Sequence, residues 1–193
     1  MKNILILIIF ISALSCKAQS TIIDIVNECN DNNHNYTNGS VYLKDISNVY
    51  QPFIGTWKWT EGNREMTLVL IKQTKHNYND TGNDNYYEDR LVGYYIYKEN
   101  GVTLIDTSND NLQKDFGITV NFQIYCNNSD NVHTVFFTDI PKNKDYEVKL
   151  EKLSPTQIKF NGKMGQYSIM PSKIPKIIHG GYSFPLEMTF TKQ

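Results

Sequence analysis

Phe116-Gly-Ile-Thr-Val-Asn-Phe-Gln-Ile-Tyr-Cys126 decides the fold class. Phe116, Ile118, Val120, Phe122, Ile124 and Cys126 alternate with Gly117, Thr119, Asn121, Gln123 and Tyr125. Successive side chains of an extended chain point to opposite faces, so this run has one apolar face, the pattern of a half-buried strand. Working outward, the same period recurs. Upstream, Phe53, Gly55, Trp57 and Trp59 oppose Ile54, Thr56, Lys58 and Thr60. Met66, Leu68 and Leu70 then oppose Glu65, Thr67 and Val69, and Leu91, Gly93, Tyr95 and Tyr97 follow. Downstream, Val132 to Asp139, then Tyr146, Val148 and Leu150, then Ile158 and Phe160, and finally Leu186, Met188 and Phe190 mark further strands. Asn100-Gly101, between two such runs, is a hairpin turn signal. No window of helical length keeps a period of about 3.6 residues.

About eight or nine short strands, each with one apolar face, predict an all-β domain over 41–193, a single antiparallel up-and-down barrel. Closure removes the edges that such strands would otherwise expose. Gly55 and Trp57, within Phe53 to Trp59, resemble the Gly-x-Trp start of lipocalin-like barrels, in which Gly allows close backbone approach and Trp plugs one end. A simple core aromatic at Trp57 fits the same residues. In both cases Trp57 is expected inward and Lys58 outward.

The N-terminus reads as an export signal over 1–18. Lys2 precedes the apolar run Ile4 to Leu14, and small residues follow. The run is shorter than the roughly 20 residues a spanning helix needs. Cleavage has two readings. Ala13-Leu14-Ser15-Cys16 resembles a bacterial lipobox, cut before Cys16, whose thiol takes up the lipid. Cys16 and Ala18 also suit ordinary cleavage that leaves Gln19 first. Acyl chains on Cys16 would hold the protein at the membrane, each buried methylene contributing about 0.8 kcal/mol. No acidic stretch follows in Lys17-Ala18-Gln19-Ser20, which points to the outer membrane facing the periplasm; without the lipid, the protein is secreted or soluble in the periplasm. Residues 19–40 read as a flexible arm, because Asn27 to Ser40 is dominated by Asn and cannot bury apolar surface.

Composition limits the partners. Lys and Arg number 19 against 20 Asp and Glu, a net charge of −1, so no basic patch is available to neutralise several phosphates and nucleic acid is excluded. In an oxidising compartment Cys29 and Cys126 form an even pair, either bridged or left as two thiols. His34, His76, His133 and His179 fall in no metal-ligand spacing, and no nucleophile elbow or cofactor fingerprint is present. The run Asn77 to Glu88 mimics a calcium-loop register with Gly82 at the sixth place. Its neutral first ligand and strand-like flanks instead fit an Asn/Asp/Gly-rich hairpin loop. No metal or cofactor is assigned.

A broader resemblance rests on Tyr42-Leu43-Lys44-Asp45 with Asn48, Phe53 to Trp57, Leu91 to Tyr97 with Asn100-Gly101, and Leu186 to Gln193. These residues are similar to an uncharacterised family of short secreted or lipid-anchored flavobacterial proteins of unknown function. That resemblance implies export and a β-rich domain and brings no catalytic residue.

Three classes of function follow. The leading one is a non-enzymatic envelope lipoprotein whose barrel binds a small apolar or amphipathic ligand. The alternative is a protein-interaction or inhibitor module without an interior ligand. The third is an enzyme whose site is assembled from distant strands, so catalysis stays open but is not preferred. A hollow barrel favours the first, and Tyr86, Tyr87 and Tyr94 exposed together would favour the second.

Overall fold

In the computed structural model the described residues are 20–30, 34–79, 83–115, 117–124, 131–164 and 180–193, with backbone alone for 29, 30 and 131–136. Alternation converts directly into a meander. Strands β3 (Gly55–Glu61) and β4 (Arg64–Tyr78) are joined by a tight turn, β5 (Tyr86–Glu99) pairs antiparallel with β4, and β6 (Val102–Asp106) is a short hairpin arm on β5. Then come β7 (Val120–Gln123), β8 (Asn131–Asp139), β9 (Lys144–Ser154), β10 (Gln157–Met164) and β11 (Glu187–Lys192). Each barrel strand pairs antiparallel with the next, and β11 returns to β3 through Thr191↔Lys58 and Lys192↔Trp57. The β5–β7 pairing at Leu91↔Phe122 bypasses β6, so eight strands close into a barrel. The expected fold class is the observed one.

Two more strands precede the barrel. β1 (Thr21–Asp24) and β2 (Val41–Lys44) pair parallel to each other, and β2 pairs parallel with β5 at Tyr42↔Tyr87 and Leu43↔Glu88. A 3-10 turn, Ile25–Asn30, lies between them. Within 19–40, which the sequence reads as a flexible arm, Ile25 is buried and Ile23 and Val26 pack against the core, apolar contacts that the Asn-rich average conceals.

Among the described residues the lumen is filled. Trp57 is 0 % exposed, as are Met66, Leu68, Leu91, Phe122 and Phe160. Phe137 stacks on Tyr95 with ring centroids 4.8 Å apart and meets Phe160 edge-on at 5.1 Å, geometries that aromatic quadrupoles favour. Both ends are stoppered. At the end where β4 finishes and β5 begins, Val49, Tyr50 and Phe53 are buried, and Trp57 Nε1 donates to the Phe53 carbonyl at 2.7 Å. At the opposite end Phe184 packs against Tyr95, Phe137 and Tyr146. A recess of about 240 Å3, lined by Glu147, Lys149, Asn161, Gly162 and Lys163, lies on the outer face of β9 and β10 rather than in the lumen.

Gly93 stands where backbones crowd. A Cβ built there would lie 2.0 Å from the Val69 carbonyl oxygen, so only glycine fits at this place on β5.

Candidate functional site

β4 and β5 run past β3 as a two-stranded ribbon, and this ribbon carries the buried Glu88, Asp89 and Arg90. Its register shifts between Gln73 and His76, where Lys75 takes the left-handed conformation, φ 53°. On one side Asp89 accepts hydrogen bonds from Tyr42 Oη (2.6 Å), the Lys75 N–H (2.9 Å) and the Asp45 N–H (3.1 Å). Asp45 in turn accepts from the Val49 N–H at 2.7 Å and from Lys72 Nζ at 2.9 Å. Lys72 also stands 3.6 Å from Asp89. The network is satisfied internally, so it reads as a staple that holds β2 and the 45–50 turn on the ribbon.

Across the ribbon lies a second group. Arg90, fully buried, donates through Nε to Gln73 (2.8 Å) and through Nη2 to the Leu112 carbonyl (2.7 Å), and its guanidinium lies 5.5 Å from the Tyr78 ring centre. Among the described residues Arg90 Nη1 is buried with no hydrogen-bond partner. Gln73 Nε2 also donates to the Leu112 carbonyl, and His76 Nε2 meets Asp115 at 2.6 Å. These contacts pin the 107–119 connection over the outer face of the barrel. Burial pushes the Glu88 carboxyl up to about 8, with Glu28 and Asp89 adding to the rise and Arg90 opposing it.

His76 and Asp115 form the pair with most chemical potential, yet the contacts around them go to backbone and ring partners that hold the 107–119 connection. Among the described residues no three His, Cys, Asp or Glu side chains gather as a metal site. Glu88, the twelfth residue of the calcium-like run, is a buried strand residue, while 80–82 of that run lie outside the described residues.

A different kind of surface occurs at the end stoppered by Phe184. Tyr182 (57 % exposed), Ile140 (50 %) and Met164 (46 %) are large apolar side chains left in solvent. They surround the start of β9. Tyr182 lies 5.9 Å from the Tyr146 ring and 5.7 Å from Lys144 Nζ; Met164 pairs with Tyr146; Ile140 follows Asp139, the partner of Lys144. Beneath them Asp139 is fully buried and accepts from Tyr146 Oη (3.0 Å) and the Ser183 N–H (2.9 Å), so the rim rests on a fixed base.

Tyr86, Tyr87 and Tyr94, which exposed together would favour a contact patch, are not together. Tyr86 stacks on Tyr78 at 5.0 Å, Tyr87 points to the other face with Lys75 over its ring, and Tyr94 sits far along β5. Gly55 and Trp57 fall at the start of β3 as read. Cys16 and Cys126 lie outside the described residues and the Cys29 side chain is likewise undescribed, so lipidation and the bridge concern positions beyond this description.

The sequence profile of the family of unknown function DUF6705 matches residues 1–193. The chain belongs to that family. No curated protein and no solved structure matches it. Among the described residues no helix is long and apolar enough to cross a membrane.

Proposed function

We propose that this protein is a non-enzymatic module of the cell envelope, exported and anchored through lipid on Cys16, which binds a protein partner with the rim around Tyr182, Ile140 and Met164. One observation carries the choice between ligand and partner: the inward side chains fill the barrel and both ends are stoppered, so a small apolar ligand finds no room among the described residues. Binding then belongs on the outside. Exposed large apolar side chains grouped on a rigid base are the usual mark of a protein contact. Their position supports the reading further. The rim lies at the opposite end of the barrel from β1, so a chain tethered by its N-terminus presents that rim away from the membrane, toward the periplasm.

The test is recovery of the native complex from envelopes with wild-type protein and with two double variants. Tyr182→Ser with Ile140→Ser should lose a stoichiometric partner that wild type and Ile71→Ser with Leu153→Ser retain. Equal recovery by all three would overturn the rim as the contact. Mass spectrometry should find the mature N-terminus at lipidated Cys16; an unmodified start at Gln19 would remove the anchor.

A further inference from the structure

The N-terminal strand is fixed to the barrel very close to Cys16. Four residues, Lys17 to Ser20, separate that cysteine from Thr21. Thr21 is not free to move off: its N–H donates to the Ser40 carbonyl at 2.6 Å, and Thr21 to Asp24 pair in register with Val41 to Lys44. Even a fully extended connection of five steps spans only about 17 Å. A lipid on Cys16 therefore leaves the domain no long leash. The β1 end must stand at the bilayer surface.

What that end offers to a surface is specific. Ile22 is 54 % exposed on β1, and Ile46 is 52 % exposed just beyond β2. Ile22 lies level with Tyr42 and Ile46 follows Lys44, so the two sit about four residues apart along one edge, a spacing fixed by the pairing Asp24↔Lys44 and by the hydrogen bond of Ser47 Oγ to Asp24. Lys44, exposed between them, suits lipid phosphate. Removing an isoleucine side chain from water is favourable, and a headgroup-level contact realises part of that gain. Among the described residues the outer edge of β1 has no strand partner in the sheet, and its N–H and C=O groups must stay hydrated. That sets the depth: the side chains enter the interface while the backbone remains among the headgroups.

We infer that β1 and the turn after β2 form a membrane seat, with Ile22 and Ile46 inserted at the headgroup boundary beside the lipidated Cys16. This rests on the anchoring reading of the preceding section. It adds a fixed orientation, in which the barrel stands on its N-terminal end and does not swing on a tether.

The test uses the full mature lipoprotein in phosphatidylcholine vesicles, with Ile22→Trp, Ile46→Trp and, at the far end, Val102→Trp. The native Trp57 and Trp59 are buried and give a constant background. Brominated lipid should quench the new tryptophans at 22 and 46 and shift their emission to the blue, while Val102→Trp should match wild type. The second variant lies outside β1, so misfolding of the first does not void the test. Lipidated protein whose tryptophans at 22 and 46 are quenched no more than that at 102 overturns the seat and leaves the anchor standing. Unlipidated mature protein overturns both. Blue emission at 22 that is equal in detergent and vesicles, with a dimeric mass, shows that a second copy covers the β1 edge and also overturns the seat.

Discussion

Trp57 shows how far one side chain commits the chain. Its ring is fully buried at the mouth of the barrel, its Nε1 is spoken for by the Phe53 carbonyl, and Lys192 Nζ stands 5.1 Å from the ring. Trp57→Ala should cost about 3–5 kcal/mol in denaturant unfolding, whereas Lys58→Ala, on the wet face beside Glu65, should cost within about 1 kcal/mol. Gly93→Ala drives a methyl into the Val69 carbonyl and should cost about 1–3 kcal/mol. Glu88 makes a prediction of opposite sign. Its folded pKa, about 8, is raised above the unfolded carboxyl value, so the folded state holds a proton that the unfolded state has released. Stability from this group falls as pH rises from the unfolded value toward 8 and is level beyond. Glu88→Gln should therefore gain melting temperature over wild type, and the gain should grow between pH 5 and 9; a pH-independent difference would refute the assignment. Inward residues such as Trp57 were legible because alternation alone selects the face. Glu88 and Arg90 were not. Arg90 is buried where the connection carrying Leu112 folds back over it, and Glu88 lies where β2 pairs with β5 at Leu43↔Glu88; only the succession Glu88-Asp89-Arg90 opening an apolar strand hinted at either.

Elements differ in how much local sequence determines them. Barrel strands carry their own period and were readable one by one, as was the Asn100-Gly101 turn, where Asn100 and Gly101 take φ 53° and 76°. Within the described part of the run that reads most cleanly, residues 117–124 of Phe116 to Cys126, a strand forms over Val120–Gln123, since Gly117 turns the chain at φ 75° before it. β1 and β2 carried no such signal. A parallel pair has no tight turn to announce it, and Asn-rich sequence between the two masked four apolar residues, Ile22, Ile23, Ile25 and Val26. β6 looked like a stave of the barrel yet stands outside it, because β7 takes the middle of the β5 edge and leaves β6 only Ile96 to Glu99. The 107–119 connection is held chiefly by side chains, with Arg90 and Gln73 sharing the Leu112 carbonyl. Arg90→Lys should loosen it: amide exchange across 107–119 should accelerate while the strands keep their protection. Unchanged exchange would mean that His76 and Asp115 hold the segment without Arg90.

For the whole molecule the governing feature is closure. The barrel is sealed by β11 against β3, with further bonds from the Gln193 N–H to the Thr56 carbonyl and from the Lys192 N–H to the Thr156 carbonyl. Removing 187–193 should abolish cooperative unfolding altogether, since β3 and β10 would be left with open edges and the Met188 and Phe190 side chains would be missing from the core. The topology could be read from the sequence because sequential antiparallel strands have few ways to pair. The filling of the lumen could not, since alternation says which residues point inward and nothing about how completely their volumes meet. That filling moves the candidate contact from the centre to the rim.

Closure of β11 on β3 also sets an order of events in time. A polypeptide made N-terminus first delivers β3 early and β11 last. Until Glu187–Lys192 has emerged, the first stave has no final neighbour, so the nascent barrel stays open along that seam with the inward side chains of β3 uncovered. Once the last strand is made, the ring shuts in one step, and the growing chain cannot be locked into its fold before its final residues arrive.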